Sequence, residues 1–485
     1  MKRLSEILAG LTNVSVNGNE SVVIENLQLD SRKVNDSSLF FAISGTQVDG
    51  HHFIEKAIEK GAKAIVCEKL PDIMDKNVSY VLTNNARFAM SKITSNFYDE
   101  PDKKVKLIGV TGTNGKTTVA TLLYRLALDL GFKAGLVSTI EYRINEEVFP
   151  STHTTPDIIS LMQLFDKMVN LGCDYVFMEV SSHAIDQGRV EGIDYDGAIF
   201  TNITRDHLDY HKTFKNYIYS KKKFFDDLKP GAFALTNIDD PNGLVMVQNT
   251  KATVKTYSLD SLADFKAKIL NISLLGLECK INQYNAFFKL TGKFNAYNLL
   301  AVFGAAVMIG WNENEVIVTM SNLNPINGRF DILYDQKSGI HAVIDYAHTP
   351  DALENLLTSI LKIRNSNQKV ITVFGAGGNR DKGKRPLMGK IACVYSDKVI
   401  VTSDNPRNEN PNEIILDIIE GIEENDKKKV LQISDRKEAI KTAIMLADKN
   451  DVIVIAGKGH ENYQIIGDNV LHFSDKETVI EIWKN

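Results

Sequence analysis

The sequence predicts an α/β protein of three domains, the central one a mostly parallel sheet covered by helices. Three observations predict it. At 485 residues the chain is too long for one ordinary core, and about three domains is the natural expectation. Short apolar runs of strand type alternate with helix-period stretches, the pattern of sheets with helical crossovers. Polar or glycine-rich loops follow several of those runs, where open α/β sheets hold their ligands.

Residues 1–102 form the first expected domain. Helix spacing of Phe53, Ile54, Ala57 and Ile58 precedes strand-like runs at Ala64-Ile65-Val66-Cys67 and Tyr80-Val81-Leu82. Asp99-Glu100-Pro101-Asp102-Lys103-Lys104 reads as a linker, because proline ends the preceding helix. Residues 103–333 follow. Val105 to Val110 is a buried-type strand, a glycine loop comes next, and Thr118 to Leu130 has the period of an amphipathic helix. Further strands are expected at 175–180, 198–201 and 232–236. Residues 334–485 form the third domain, of Rossmann-like α/β type, with strands at 370–374, 398–402 and 452–456. Its loops are Gly375-Ala376-Gly377-Gly378-Asn379-Arg380, Ser403-Asp404-Asn405-Pro406-Arg407 and Gly457-Lys458-Gly459-His460-Glu461.

Bulk composition excludes several functions. Lysine and arginine number 56 against 61 acids, a net charge of −5, so no basic excess points to nucleic acid or an anionic membrane. No apolar stretch approaches the roughly 18 residues of a membrane span. The first residues meet an acid before any apolar run, which does not fit a signal peptide. Four dispersed cysteines read as buried, reduced thiols of a cytoplasmic protein.

The strongest chemical signal is the loop Gly109-Val110-Thr111-Gly112-Thr113-Asn114-Gly115-Lys116-Thr117-Thr118. Glycines let backbone N–H groups converge on phosphate oxygens, Lys116 adds charge at the β/γ end of ATP, and Thr117 can offer a hydroxyl to Mg²⁺. The loop departs from the usual P-loop pattern, whose first glycine falls here at Val110. Glu179 ends an apolar strand. It is either a solvent-facing acid or a ligand for a hard cation. His207 is equally open, since Asp206-His207-Leu208-Asp209 also reads as a capped turn. Lys221 shares a helix face with Tyr217, Phe224, Phe225 and Leu228, while Lys222 and Lys223 point to water. On that stripe Lys221 either snorkels or is held as a neutral, reactive amine.

Together these pieces resemble the Mur ligase family, whose members join amino acids to the peptidoglycan precursor. The resemblance rests on Gly112–Thr118, Glu179-Val180-Ser181-Ser182-His183, Asn202 with Asp206-His207, and the Tyr217/Lys221 helix. It continues through Asn295-Ala296-Tyr297-Asn298, Gly328-Arg329-Phe330 and Asp345-Tyr346-Ala347-His348-Thr349-Pro350. It covers essentially the whole chain. It implies a UDP-binding first domain, a P-loop ATPase-type second domain and an amino-acid-binding third domain. It implies that ATP sits at Gly112, Thr113, Asn114, Gly115, Lys116, Thr117 and Thr118, with Asn295 and Asn298 near adenine and Arg329 and Asp345 near phosphates and ribose. Two Mg²⁺ ions are expected at Thr117, Glu179, His207 and Lys221, the last carrying a CO₂-derived carbamate. Lys116, Lys221, His207 and Glu179 would then be the catalytic set.

Two regions resemble particular members of the family. Asp30-Ser31-Arg32-Lys33-Val34, Gly45-Thr46-Gln47-Val48-Asp49-Gly50-His51, Thr152-His153-Thr154-Thr155-Pro156-Asp157 and Ser181 to Arg189 are similar to the site for UDP-N-acetylmuramoyl-L-alanyl-D-glutamate. Ser31, Thr154, Thr155, Ser181, Gln187 and Arg189 would contact it. Asp404-Asn405-Pro406-Arg407 resembles the tetrapeptide of members that add meso-diaminopimelate rather than L-lysine. An arginine can pair bidentately with the second carboxylate that lysine lacks. Taken alone, Arg407 also reads as a surface residue after a turn. Arg380, Asp404, Asn405, Pro406, Gly457 and Glu461 complete the expected contacts, with Glu461 reading the distal ammonium. The alternatives are a lysine-adding ligase and a folylpolyglutamate synthetase-like ligase. A monomer without nucleic-acid or membrane partners is expected.

Overall fold

The computed structural model describes residues 1–45, 48–151 and 153–484. It has two compact units, Met1–Asp264 with Ala301–Glu313 and Phe265–Leu300 with Asn314–Asn485.

The first unit opens with a five-stranded sheet in the order Val14–Asn17, Ser79–Thr83, Ala62–Cys67, Ser38–Ala42, Asn26–Gln28. All neighbours are parallel except the first pair. Ser38–Ala42 is buried at every position, as a strand covered on both faces must be. The helix predicted around Phe53 runs Ile54–Glu59 and buries Ile54 and Ala57. Phe53 lies in the 3₁₀ turn Gly50–Phe53, which shifts it off the buried face.

The next sheet of this unit runs Glu147–Pro150, Glu141–Ile144, Ala134–Val137, Tyr175–Glu179, Lys106–Thr111, Gly197–Phe200, Phe233–Asn237, Thr253–Ser258. Its six strands from Ala134–Val137 onward are parallel, and the two before them form an antiparallel edge. Helix Lys116–Asp129 is buried almost all round rather than amphipathic, as befits a helix enclosed between layers. One apolar cluster joins Leu4, Ile7, Ala64 and Ile93 of the first sheet's layer to Leu107, Val176 and Phe165 of the second.

The expected linker is packed. Pro101–Lys103 forms a 3₁₀ turn with Pro101 and Asp102 buried. Asp102 Oδ2 accepts from Asp194 N at 2.9 Å and Oδ1 from the Ser95 hydroxyl at 3.3 Å. The helix ends at Phe97, before left-handed Asp99 and Glu100 rather than at the proline, and a carboxylate able to receive a free backbone N–H turned the connector into a joint.

The second unit holds a six-stranded sheet ordered Asp331–Tyr334, His341–Asp345, Val452–Ala456, Val370–Phe374, Lys398–Val401, Val430–Gln432, parallel after its first pair. Separate apolar clusters line its two faces, built around Leu357, Met388 and Ile418 and around Ile371, Ile440 and Val479. A three-stranded meander, Phe265–Ser273, Gly276–Ile281 and Tyr284–Phe288, belongs to the same unit. The four cysteines are free and buried, and burial raises each thiol to about 11 or 12. Among the described residues no helix is long and apolar enough to cross a membrane.

Candidate active site

Strand Lys106–Thr111 ends between Tyr175–Glu179 and Gly197–Phe200, so the glycine loop leaves the carboxyl edge of the sheet where a ligand is expected. The loop is fastened from the neighbouring strand. Asn202 O accepts from Thr113 N at 2.7 Å, and the Asn202 side chain both accepts from Asn114 N and donates to Asn114 O, each at 3.0 Å. The Thr201 hydroxyl donates to Asn114 O at 2.6 Å. Gly112 permits this approach, because a Cβ there would stand 1.9 Å from Thr201 Oγ1. Gly112→Ala is therefore expected to weaken ATP binding at least about tenfold, read by equilibrium titration of the nucleotide. Native affinity in that variant would remove this packing account. Lys116 Nζ curls onto the loop, donating to Gly112 O at 2.9 Å and Thr113 O at 2.8 Å.

Lys221 lies beneath the same loop, on helix Phe214–Asp226. It is 1% exposed, donates to Gly112 O at 2.8 Å and stands 4.8 Å from the centre of the Tyr217 ring. Burial first, then the neighbouring charge of Lys116, hold its pKa well below the usual lysine range. Snorkelling is thus excluded by the geometry. Lys222 does not point to water either: it is buried and pairs with Asp226 one turn on, at 2.6 Å. Tyr217 Oη lies 3.0 Å from Thr113 Oγ1, joining the lysine helix to the loop.

His207 has left-handed backbone, φ 54°, and its ring meets His183 and Tyr217 at centroid distances of 4.8 and 6.1 Å. Desolvation by the groups packed around it pushes it down to about 4, although 45% of the side chain is exposed, with His183, Lys116 and Lys221 adding to the effect and Asp206 opposing it. A downward shift favours the neutral ring, in which one nitrogen carries a lone pair and the other an N–H.

Glu179 is fully buried, not a solvent-facing acid. Its carboxylate accepts from Thr139 N at 2.7 Å and from the Thr139 hydroxyl at 3.2 Å. Thr139 Oγ1 is also 3.0 Å from Thr154 Oγ1. The Thr155 hydroxyl donates to Glu179 O at 2.8 Å, and Ser181 caps helix Ser182–Asp186 by accepting from Ala184 N. Arg189 donates to Thr155 O at 2.6 Å and to Gln187 Oε1 at 3.0 Å. Thr154, Thr155, Ser181, Gln187 and Arg189 therefore form one hydrogen-bonded run against Glu179.

Ser31 is buried beside Asp30, whose carboxyl Arg32 holds down at about 2. Of the segments named with it, Thr46, Gln47 and Thr152 lie outside the described residues.

In the second unit the loops after three parallel strands interlock. Asn405 Nδ2 donates to Glu461 Oε2 at 2.9 Å, Gly378 N donates to Asn405 O at 2.9 Å, and Gln464 Nε2 donates to Asp404 O at 2.7 Å. Arg407 is half-buried with φ 51°, and its Nη1 donates to Gly378 O at 2.8 Å. A Cβ on Gly457 would stand 2.6 Å from Asp404 Oδ2. Arg380 follows the loop held in this way, and Pro406 is buried in it. Arg329 stacks on Tyr346 at 4.7 Å, and Asp345 accepts from Phe330 N and Ala347 N. Burial raises the Asp345 pKa, which Arg329 opposes. Asn295 and Asn298 are buried and bonded to each other at 3.0 Å.

Several contributing residues escaped sequence reasoning. Thr139 holds Glu179. Arg87 spans Ser44 O and Gln187 O. His183 and His211 surround His207 and Tyr217. Arg436, fully buried, pairs with Asp475 and donates to Ala456 O. Lys458, a charge inside a glycine motif, and His183, at the end of the Glu179-to-His183 motif, carried a readable signal.

A glycine-rich loop at the carboxyl edge of a parallel sheet, underlain by a buried lysine, and a second unit of interlocking strand-end loops define an α/β enzyme. Residues 23–101 match the Mur ligase family catalytic domain, 110–306 the Mur ligase middle domain, and 328–459 the Mur ligase glutamate ligase domain. Over 483 residues the chain is 53% identical to a UDP-N-acetylmuramoyl-L-alanyl-D-glutamate–2,6-diaminopimelate ligase of Phocaeicola vulgatus, covering 100% of both chains. It is 53% identical to the like-named ligase of Bacteroides fragilis, with 99% of each covered. A solved structure of a ligase of that name superposes with a TM-score of 0.72 at 30% identity, covering 100% of this chain and 99% of the other. The chain belongs to the Mur ligase family.

Proposed function

We propose that this chain joins meso-diaminopimelate to the D-glutamate carboxylate of UDP-N-acetylmuramoyl-L-alanyl-D-glutamate. The reaction consumes ATP, releases ADP and phosphate, and belongs to peptidoglycan precursor synthesis in the cytoplasm. The observation that carries this is the end-to-end 53% identity with relatives of that name. In this reading 1–102 with the Thr154-to-Arg189 run binds the UDP substrate, 103–333 binds ATP, and 334–485 binds the amino acid.

The γ-phosphate passes to the substrate carboxylate, giving an acyl phosphate and ADP. The diaminopimelate amine then attacks the acyl carbon and phosphate leaves. Lys116 turns from the loop carbonyls to the transferring phosphate, where its charge counts most in the transition state. Glu179, held by Thr139, and neutral His207 offer lone pairs. The described residues contain no group of three or more His, Cys, Asp or Glu able to hold a metal. A carbamate on Lys221 would supply the missing anionic oxygens, and the neutral buried amine fits that modification. With Thr117 these residues would hold Mg²⁺, which when bound neutralises charge on the phosphates.

Phosphate release in the presence of ATP and the UDP-dipeptide, with diaminopimelate or L-lysine as acceptor, tests the reading. Turnover with neither acceptor would overturn it. Arg407→Ala should raise the KM for diaminopimelate roughly ten- to a hundredfold and leave that for ATP near native, the size of a lost charge-assisted pair. Equal effects on both would count against Arg407 as the carboxylate partner.

A further inference from the structure

Lys458 sits in the middle of the Gly457–Glu461 loop with its side chain wholly buried. Its ammonium is 3.0 Å from Glu461 Oε2 and 3.2 Å from Asn405 Oδ1, and it stands 5.5 Å from the centre of the Tyr463 ring. Asn405 Nδ2 donates to the same Glu461 oxygen, and Asn405 Oδ1 also accepts from Ile465 N at 3.0 Å. The lysine therefore ties together the two loops that present Arg407 and Glu461. It also places a full positive charge against the carboxylate assigned to a substrate ammonium.

Pairing with Lys458 changes what the Glu461 carboxylate attracts. A carboxylate facing an open pocket attracts any cation, and would draw the bare side-chain ammonium of lysine as readily as the ammonium of diaminopimelate. A carboxylate already neutralised by a fixed cation attracts a lone ammonium weakly. A terminus carrying both ammonium and carboxylate loses less, because its carboxylate gains from Lys458 and Arg407 what its ammonium loses.

We propose that Lys458 is a specificity-determining, positioning residue: by neutralising Glu461 it selects an amino acid with a zwitterionic far end and rejects one ending in an ammonium alone. This rests on the function proposed above. Lys458 orients Glu461 and Asn405 and takes no part in bond making.

The test compares kcat/KM for diaminopimelate and for L-lysine in the full-length native chain, Lys458→Gln and Lys458→Arg, with KM for ATP and melting temperature measured alongside. Lys458→Gln retains a donor for Asn405 and loses the charge. Its preference for diaminopimelate over L-lysine should fall at least about tenfold, mostly through KM, while KM for ATP stays native. Lys458→Arg keeps the charge and should keep the native preference. An unchanged preference in Lys458→Gln, or a lost preference in Lys458→Arg, overturns the inference while leaving the function intact. If Lys458→Gln fails to fold, the Lys458→Arg preference alone decides. A native chain that uses neither acceptor overturns the function itself.

Discussion

Lys221→Ala is expected to lower kcat by roughly a thousandfold or more while the affinity for the UDP-dipeptide stays within a few-fold of native. Lys221 supports the glycine loop through a 2.8 Å bond to Gly112 O, and no hydrogen bond joins it to Thr154, Thr155, Ser181, Gln187 or Arg189 among those the described residues show. Loss of turnover without loss of substrate binding is what a group acting on the transferring phosphate produces. A purely structural prop under the loop would instead weaken ATP binding and lower the melting temperature together. Labelled bicarbonate separates the chemistry further. Native protein should show a carbamate carbonyl resonance that Lys221→Ala lacks. Near-native turnover, or an identical resonance in the variant, would sink the role.

The largest effect on stability is expected at Asp475. Arg436 and Asp475 are both fully buried, with Nε to Oδ1 at 2.7 Å and Nη2 to Oδ2 at 2.8 Å. Asp475→Ala leaves a guanidinium uncompensated in the interior, which costs about 3–5 kcal/mol. Arg436 also donates to Ala456 O and Ser403 O, next to Gly457 and Asp404. Diaminopimelate binding should therefore weaken together with stability. The double variant Arg436→Met, Asp475→Leu should recover much of the stability, since neither charge of this pair is left buried without the other. Denaturant unfolding with single-residue probes in the second unit is the measurement. Native stability in Asp475→Ala would refute the account.

The strands were the most legible part of the fold. Val370–Phe374 and Val452–Ala456 fall where the apolar runs lie, because a strand buried on both faces must be a continuous apolar run. The place of the glycine loop, between strand Lys106–Thr111 and helix Lys116–Asp129, was legible because its punctuation lies in consecutive residues. What was hidden depends on partners far away in sequence. Thr139 looks ordinary until Glu179 folds against it, 40 residues on. Arg436 reads as an exposed helix residue until Asp475 closes over it. The linker misled for the same reason: its polarity says surface, yet Asp102 finds Asp194 N across 92 residues. Local pattern reports periodicity and punctuation, and it is silent about which polar side chain will meet which.

The apolar cluster running from Leu4 and Ile93 into Leu107 and Val176 limits how this enzyme can be rebuilt. The first hundred residues look like a detachable cassette, yet their apolar core is continuous with that of the neighbouring layer. Expressed alone they would expose that surface and aggregate. A chimera taking this segment from another ligase would need its seam redesigned together with the Asp102 joint, or neither parent's part would settle.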